Sequence, residues 1–158
     1  MLLQLEAPPS RSRPELPENL RRHLSACLAS DPGTMSHYVD RGAELVTPDA
    51  IAALRRLRRP LLEKIRDLHE STHLQRRLEL LFIYFEEACT DGSACTPSHR
   101  DAAFALLYFL QGLDRVPDSV PEVGLLDDAM VVQVVIQRNA TLLRAHWLRR
   151  LRAWPSDL

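Results

Sequence analysis

Apolar residues recur along the chain at spacings of three and four, the period of a helix face, and they predict its elements in turn. Leu20, Leu24, Cys27 and Leu28 line one face of a helix predicted over 17–29, opened by Pro17 and closed by the Asp31-Pro32-Gly33 cluster. Residues 35–45 carry a shorter, weaker pattern. Thr47-Pro48-Asp49 opens the next helix. The threonine caps, the proline takes the first position, where an N–H would lack a partner anyway, and the acid suits the positive dipole end. Pro60 kinks or restarts that helix. The longest pattern runs from Pro60 to about Cys89, with Leu61, Leu62, Ile65 and Leu68 on one face. Leu78 to Phe85 is apolar nearly all round, which demands burial on several sides. Thr96-Pro97 repeats the cap and opens a helix to Gln111, with Gly112 as its left-handed cap and Leu113 packing behind. A last helix is predicted from Asp127 to about Trp154, stapled by Leu126 and Val131.

These elements make an all-α protein: a compact bundle of five or six helices with a long Asp/Pro-rich connection before the last one. Composition agrees, since 28 Leu stand against 19 β-branched residues and only 5 Gly. Residues 1–14, with Pro8, Pro9 and Pro14 among Ser and Arg, read as a disordered arm, and 15–158 as a single helical domain. A chain of 158 residues buries about 68–70% of its unfolded surface, so no disulfide or metal is needed to hold the core.

Charge narrows the partners. The formal net charge is −1, which gives no global field toward nucleic acid or anionic lipid. Locally the charges segregate. Arg55, Arg56, Arg58 and Arg59 form one basic stretch, and Arg138, Arg144, Arg149, Arg150 and Arg152 another. Glu79, Glu86, Glu87 and Asp91 oppose them, followed by Asp114, Asp118, Glu122, Asp127 and Asp128. The simplest arrangement has these faces meet within the fold or across a homodimer. No nucleic-acid partner is expected, because the basic segments lack interleaved aromatics for base stacking. Three cysteines at no framework spacing, and an N-terminus broken by Gln4, indicate a cytoplasmic protein without a secretory signal. The most apolar window, Ala102 to Leu110, is about half the length of a membrane-crossing helix.

The connection between the last two predicted helices reads Asp114-Arg115-Val116-Pro117-Asp118-Ser119-Val120-Pro121-Glu122-Val123-Gly124-Leu125-Leu126-Asp127-Asp128-Ala129. It is long for a helix–helix joint, and long structured joints are often functional. Pro117 and Pro121 push Val116 and Val120 toward extended backbone, Gly124 permits a positive-φ turn, and Asp114, Asp118 and Asp127 suit turn anchors and a cap. Together with Leu106-Leu107-Tyr108 before it, this stretch resembles the signature of the YkvA-like bacterial domain family, Asp-x-x-Pro-Asp-x-x-Pro-x-x-Gly-x-x-Asp-Asp-Ala, over residues 100–137. The resemblance implies a helical domain of unknown function and no particular activity. Arg115, Ser119 and Glu122 polarise a loop that is often apolar in that family, which weighs against membrane association, as does the presence of Gly112 where the family often has Pro.

Three groupings carry candidate chemistry. His69-Glu70-Ser71-Thr72-His73 is a literal H-E-x-x-H on a predicted helix. At that spacing His69 and His73 share a face and can bind one zinc ion while Glu70 reaches a bound water as the catalytic group. A third ligand is needed, and Glu86 and Glu87 lie about 20 Å or more further along the helix. The plainer account is a pair of surface or interface histidines. Cys89, Cys95 and His99 are a second candidate metal set, against which stand five intervening residues and a missing fourth ligand. The carboxylates Asp114, Asp118, Asp127 and Asp128 suit Mg²⁺ or Ca²⁺ but are explained by caps, turns and arginine pairing without any ion.

No nucleophile elbow, phosphate loop or dinucleotide fingerprint is present. The sequence therefore points to a non-enzymatic protein-interaction or regulatory module with no cofactor. Its expected motif is Asp114, Arg115, Pro117, Asp118, Pro121, Gly124, Asp127 and Asp128, docking an unknown protein or a second copy. A zinc-dependent hydrolase through His69, Glu70 and His73 is the alternative. Attachment to a membrane surface through Trp147, Trp154 and the neighbouring arginines is the weaker one.

Overall fold

The computed structural model of the chain describes residues 16–25, 32–92, 94–112 and 121–158. Among them are eight helices and no strand: α1 (Glu18–Ser25), α2 (Pro32–Glu44), α3 (Pro48–Arg56), α4 (Arg58–Arg66), α5 (Thr72–Thr90), α6 (Pro97–Gly112), α7 (Pro121–Arg138) and α8 (Ala140–Arg149).

Helix α6 is the axis of the molecule. Residues 101–109 are buried without a break, so the helix presents core on every side, and it touches α1, α2, α3, α4, α5 and α7. A helix apolar all round can be satisfied only in this way. Its start follows the sequence, with the Thr96 hydroxyl accepting the His99 N–H at 3.3 Å. The same device opens α3, where Thr47 Oγ1 accepts the Ala50 N–H at 3.2 Å and Pro48 sits in the first turn. The weak pattern over 35–45 belongs to α2, a full core element whose Met35 and Val39 are completely buried. Helix α2 can lie against α6 because position 42 is glycine: a Cβ there would overlap the Phe104 ring. His23 and Tyr38 then lock α1 to α2. Their rings stack at 4.2 Å, the Tyr38 hydroxyl donates to the His23 carbonyl at 2.8 Å, and His23 Nε2 donates to the Tyr38 carbonyl at 2.7 Å.

Eight helices replace the expected five or six because long patterns are cut by local bonds. The stretch from Pro60 to Cys89 divides into α4 and α5. Gln75 reaches back and donates to the carbonyls of Ile65 at 3.0 Å and Arg66 at 3.3 Å, closing the end of α4. Leu68 turns inward and is buried at the corner. The final pattern is cut at Asn139, whose side chain donates to the Val135 carbonyl at 2.8 Å and to Asp101 at 3.0 Å.

The start of α7 is a further correction. The helix begins at Pro121, six residues before the expected Asp127, with proline at the position where its missing N–H costs nothing. Gly124 is therefore helical, Asp127 is no cap, and Leu126 is an exposed residue inside the helix instead of half of a staple.

Candidate functional site

The corner between α4 and α5 separates the residues of the H-E-x-x-H. His69 and Glu70 lie in the bend, His73 lies in the first turn of α5, and all three are exposed. The two histidines are not one turn apart on one helix, so the geometry that the zinc reading requires is absent. The helical prediction fails here: residues 67–71 leave the helix and Leu68 is buried at the corner. No group of three or more His, Cys, Asp or Glu side chains converges on a metal-sized site among the described residues.

Cys89, Cys95 and His99 do come together, at the corner between α5 and α6. The Cys95 N–H donates to His99 Nδ1 at 3.0 Å, so the ring carries its proton on Nε2. That nitrogen faces the Phe85 carbonyl at 3.2 Å and Cys89 Sγ at 3.4 Å. Phe85 stacks on the imidazole at 4.8 Å. Burial holds the His99 pKa below its ordinary value and pushes the Cys89 thiol up. Both groups rest neutral, the reverse of the thiolate–imidazolium pair of a reactive cysteine. His99 pins the corner: the Cys95 backbone is held at φ 63°, a left-handed conformation, with its N–H on the ring.

Of the connection motif, Asp114, Arg115, Pro117 and Asp118 lie outside the described residues. Pro121 and Gly124 lie in the first turns of α7, and Asp127 and Asp128 follow in the same helix. Asp128 is the exceptional one. It is 1% exposed, and neither carboxylate oxygen has a hydrogen-bond partner among the described residues. Burial, and then the neighbouring Asp127, push its pKa up to about 7, against the opposing charge of Lys64. Lys64, the chain's single lysine, donates to the Leu110 carbonyl at 2.6 Å near the end of α6. An unpaired buried carboxylate is stable only by holding its proton, and Asp128 does so through the acid range.

The other buried polar side chains are bonded into the scaffold. Ser98 meets the Tyr84 hydroxyl at 2.8 Å, and Asp101 accepts from Asn139. Burial raises the Asp101 pKa while Asn139 and Arg138 restrain it. The densest network lies around Glu87. Its carboxylate accepts from Arg152 at 2.6 and 2.7 Å, from His146 at 2.7 Å and from Arg150 at 3.0 Å. Burial works against ionisation there, but the bonds from Arg152 and His146 and the charge of Arg150 outweigh it and hold the carboxyl below its ordinary range. Arg150 also donates to His146 Nδ1 at 3.2 Å.

The segregated charges meet in part within the fold, Arg150 and Arg152 on Glu87, Arg150 on Asp91 and Arg58 on Glu86, while Arg138 pairs with Asp40 and Arg76 with Asp157 outside those sets. Sequence reading located both sides of this contact but missed Glu87 as its centre. Neither tryptophan is a free surface anchor: Trp147 is buried and Trp154 packs edge-on against it at 6.1 Å.

Residues 102–133 match the model of a family described as a protein of unknown function, DUF1232. The match takes in most of α6 and the first two-thirds of α7, the two helices that flank the Asp/Pro-rich connection. It supports similarity to a domain family of unknown function for this segment, about a fifth of the chain. No curated protein and no solved structure matches the chain. No helix among the described residues is long and apolar enough to cross a membrane.

Proposed function

We infer that the chain is a non-enzymatic protein-interaction or regulatory module acting in the bacterial cytoplasm, a reading the YkvA-like resemblance leaves open because it implies no particular activity. The helices α6 and α7 are its frame, and the connection carrying Asp114, Arg115, Pro117 and Asp118 is its docking element. One observation carries this reading: the connection joins α6, whose residues 101–109 are all buried, to α7, the helix packed beside it. A rigid frame holding a polar connection is the usual way a helical scaffold presents recognition residues. The bonding of Ser98, His99, Asp101 and His146 into the scaffold supports the same reading, since each is committed to holding two elements together.

The test is a cross-linker placed at Ser119 in cells, with Arg115→Ala and Asp118→Ala compared in the same assay and light scattering on the purified chain. The expected result is one dominant adduct, a partner or a second copy, that both substitutions reduce at least about tenfold, the worth of one desolvated polar contact. A lone monomer with no adduct overturns the reading. Elemental analysis after purification decides against the hydrolase alternative when no stoichiometric zinc is found and His69→Ala changes nothing.

A further inference from the structure

The end of α8 holds two leucines out of the protein. Leu148 is 67% exposed and Leu151 is 96% exposed. Leu151 also has φ 55°, a left-handed conformation that favours glycine. The reason is the way the helix ends. The Arg152 N–H donates to the Trp147 carbonyl at 3.1 Å and the Leu151 N–H to the Leu148 carbonyl at 3.0 Å, the paired bonds of a Schellman motif. The residue at the left-handed position of that motif is usually glycine, because a side chain there adds strain. Here the ending is held firmly, since Arg152 lies over Trp147 at 4.5 Å and bonds Glu87, while Arg150 bonds Glu87 and Asp91. A strained, immobilised and fully exposed leucine contributes nothing to the core.

Along the chain the charge near these leucines is of one sign. From residue 129 to 156 the chain carries five arginines and no acidic residue. Arg138, Arg150 and Arg152 are neutralised by Asp40, Glu87 and Asp91. Arg144 and Arg149 are exposed on α8; Arg144 lies over the Trp154 ring at 5.6 Å, and neither is in an ion pair with a carboxylate among the described residues. The exposed side chains of α8 are then Thr141, Leu142, Arg144, Ala145, Leu148 and Arg149, with Leu151 just beyond them.

We propose that the end of α8 docks on an anionic phospholipid surface, with Leu148 and Leu151 inserted at the acyl boundary and Arg144 and Arg149 at the headgroups. The charge is complementary to such a surface and to no other part of this face. The apolar area also fits. Two leucines present roughly 200 Å² at about 25 cal/mol per Å², far below the roughly 800 Å² per partner of a stable protein interface. A bilayer boundary accepts isolated protruding side chains without a matching pocket, and paired hydrophobic and basic signals give reversible attachment. The tryptophans take no part, being packed on one another. This docking surface is separate from the α6–α7 connection and stands or falls independently of it.

Cosedimentation of the full chain with vesicles tests the proposal, using phosphatidylcholine alone and with roughly one quarter phosphatidylglycerol. Binding is expected only to the anionic vesicles at low salt, and about 0.5 M NaCl should release it as the Debye length contracts to a few ångströms. Arg144→Gln with Arg149→Gln should weaken it about 25-fold, near fivefold for each charge. Leu148→Ser with Leu151→Ser should weaken it at least about tenfold at an unchanged unfolding midpoint. Leu151→Gly is the companion variant, since it removes the inserted side chain while relaxing the backbone and so keeps the fold. Failure of the wild-type chain to bind anionic vesicles, or wild-type binding by the leucine variants, overturns the proposal. A dimer seen by light scattering and abolished by the same leucine variants also overturns it, assigning the face to a second copy.

Discussion

Arg152 lies over the face of Trp147, its guanidinium carbon 4.5 Å from the ring centroid, while its Nη2 donates to both oxygens of Glu87. One side chain therefore ties the terminal turn to its own helix and to α5, 65 residues away in the chain. The guanidinium plane suits both tasks at once, which an ammonium does not.

Glu87 is the acceptor on which this end of the molecule depends. Glu87→Gln should destabilise the protein by about 2 kcal/mol, below the full cost of breaking a buried pair because the group is partly solvated. Its folded pKa is depressed, so its stabilisation is present above the unfolded value near 4.5 and is lost as pH falls through the folded pKa. Thermal unfolding at pH 7 and pH 3 checks this: the difference between wild type and variant should shrink in acid.

Asp128 works in the opposite direction. Its folded pKa of about 7 lies above the unfolded value of 3.8, so the native state binds the extra proton between those two pH values. Stability is therefore lost as pH rises through that window, by about 4 kcal/mol at most. Asp128→Asn removes the titration and should be more stable than wild type at pH 8 but not at pH 4. Denaturant unfolding across pH 4–8 measures it, and parallel pH curves for the two proteins would refute it.

Gly42 reverses the ordinary rule for helices. Alanine in a helix interior is normally better than glycine by about 1 kcal/mol. Here the added Cβ would occupy the Phe104 ring, so Gly42→Ala should destabilise by about 2 kcal/mol through overpacking. Gly92 is the contrast, with open space around it and φ +84°. Gly92→Ala should cost about 1 kcal/mol from backbone strain alone. Melting temperatures of the two variants separate the two causes.

Leu151→Gly should raise stability by about 1 kcal/mol, since the left-handed position loses its Cβ penalty and no core contact is lost. A fall in the unfolding midpoint would mean that Leu151 packs against the fold after all.

The sequence by itself determined the all-α class, the Thr-Pro helix starts at Thr47 and Thr96, the burial of most of Leu78 to Phe85, and the two sets of opposed charges. Those features are local: a cap, a period and a composition are written within one turn or two of chain. Only the tertiary structure decided the rest. The helix predicted through His69 and His73 is broken at a corner where Leu68 is buried and Gln75 bonds the carbonyls of Ile65 and Arg66. Glu87 becomes a centre through arginines more than sixty residues away. Asp128 looks like its neighbour Asp127 in sequence, yet it is buried and unpaired while Asp127 remains partly exposed. Burial and pairing are properties of surfaces that meet in space, and one-dimensional spacing specifies the surfaces without specifying which of them meet.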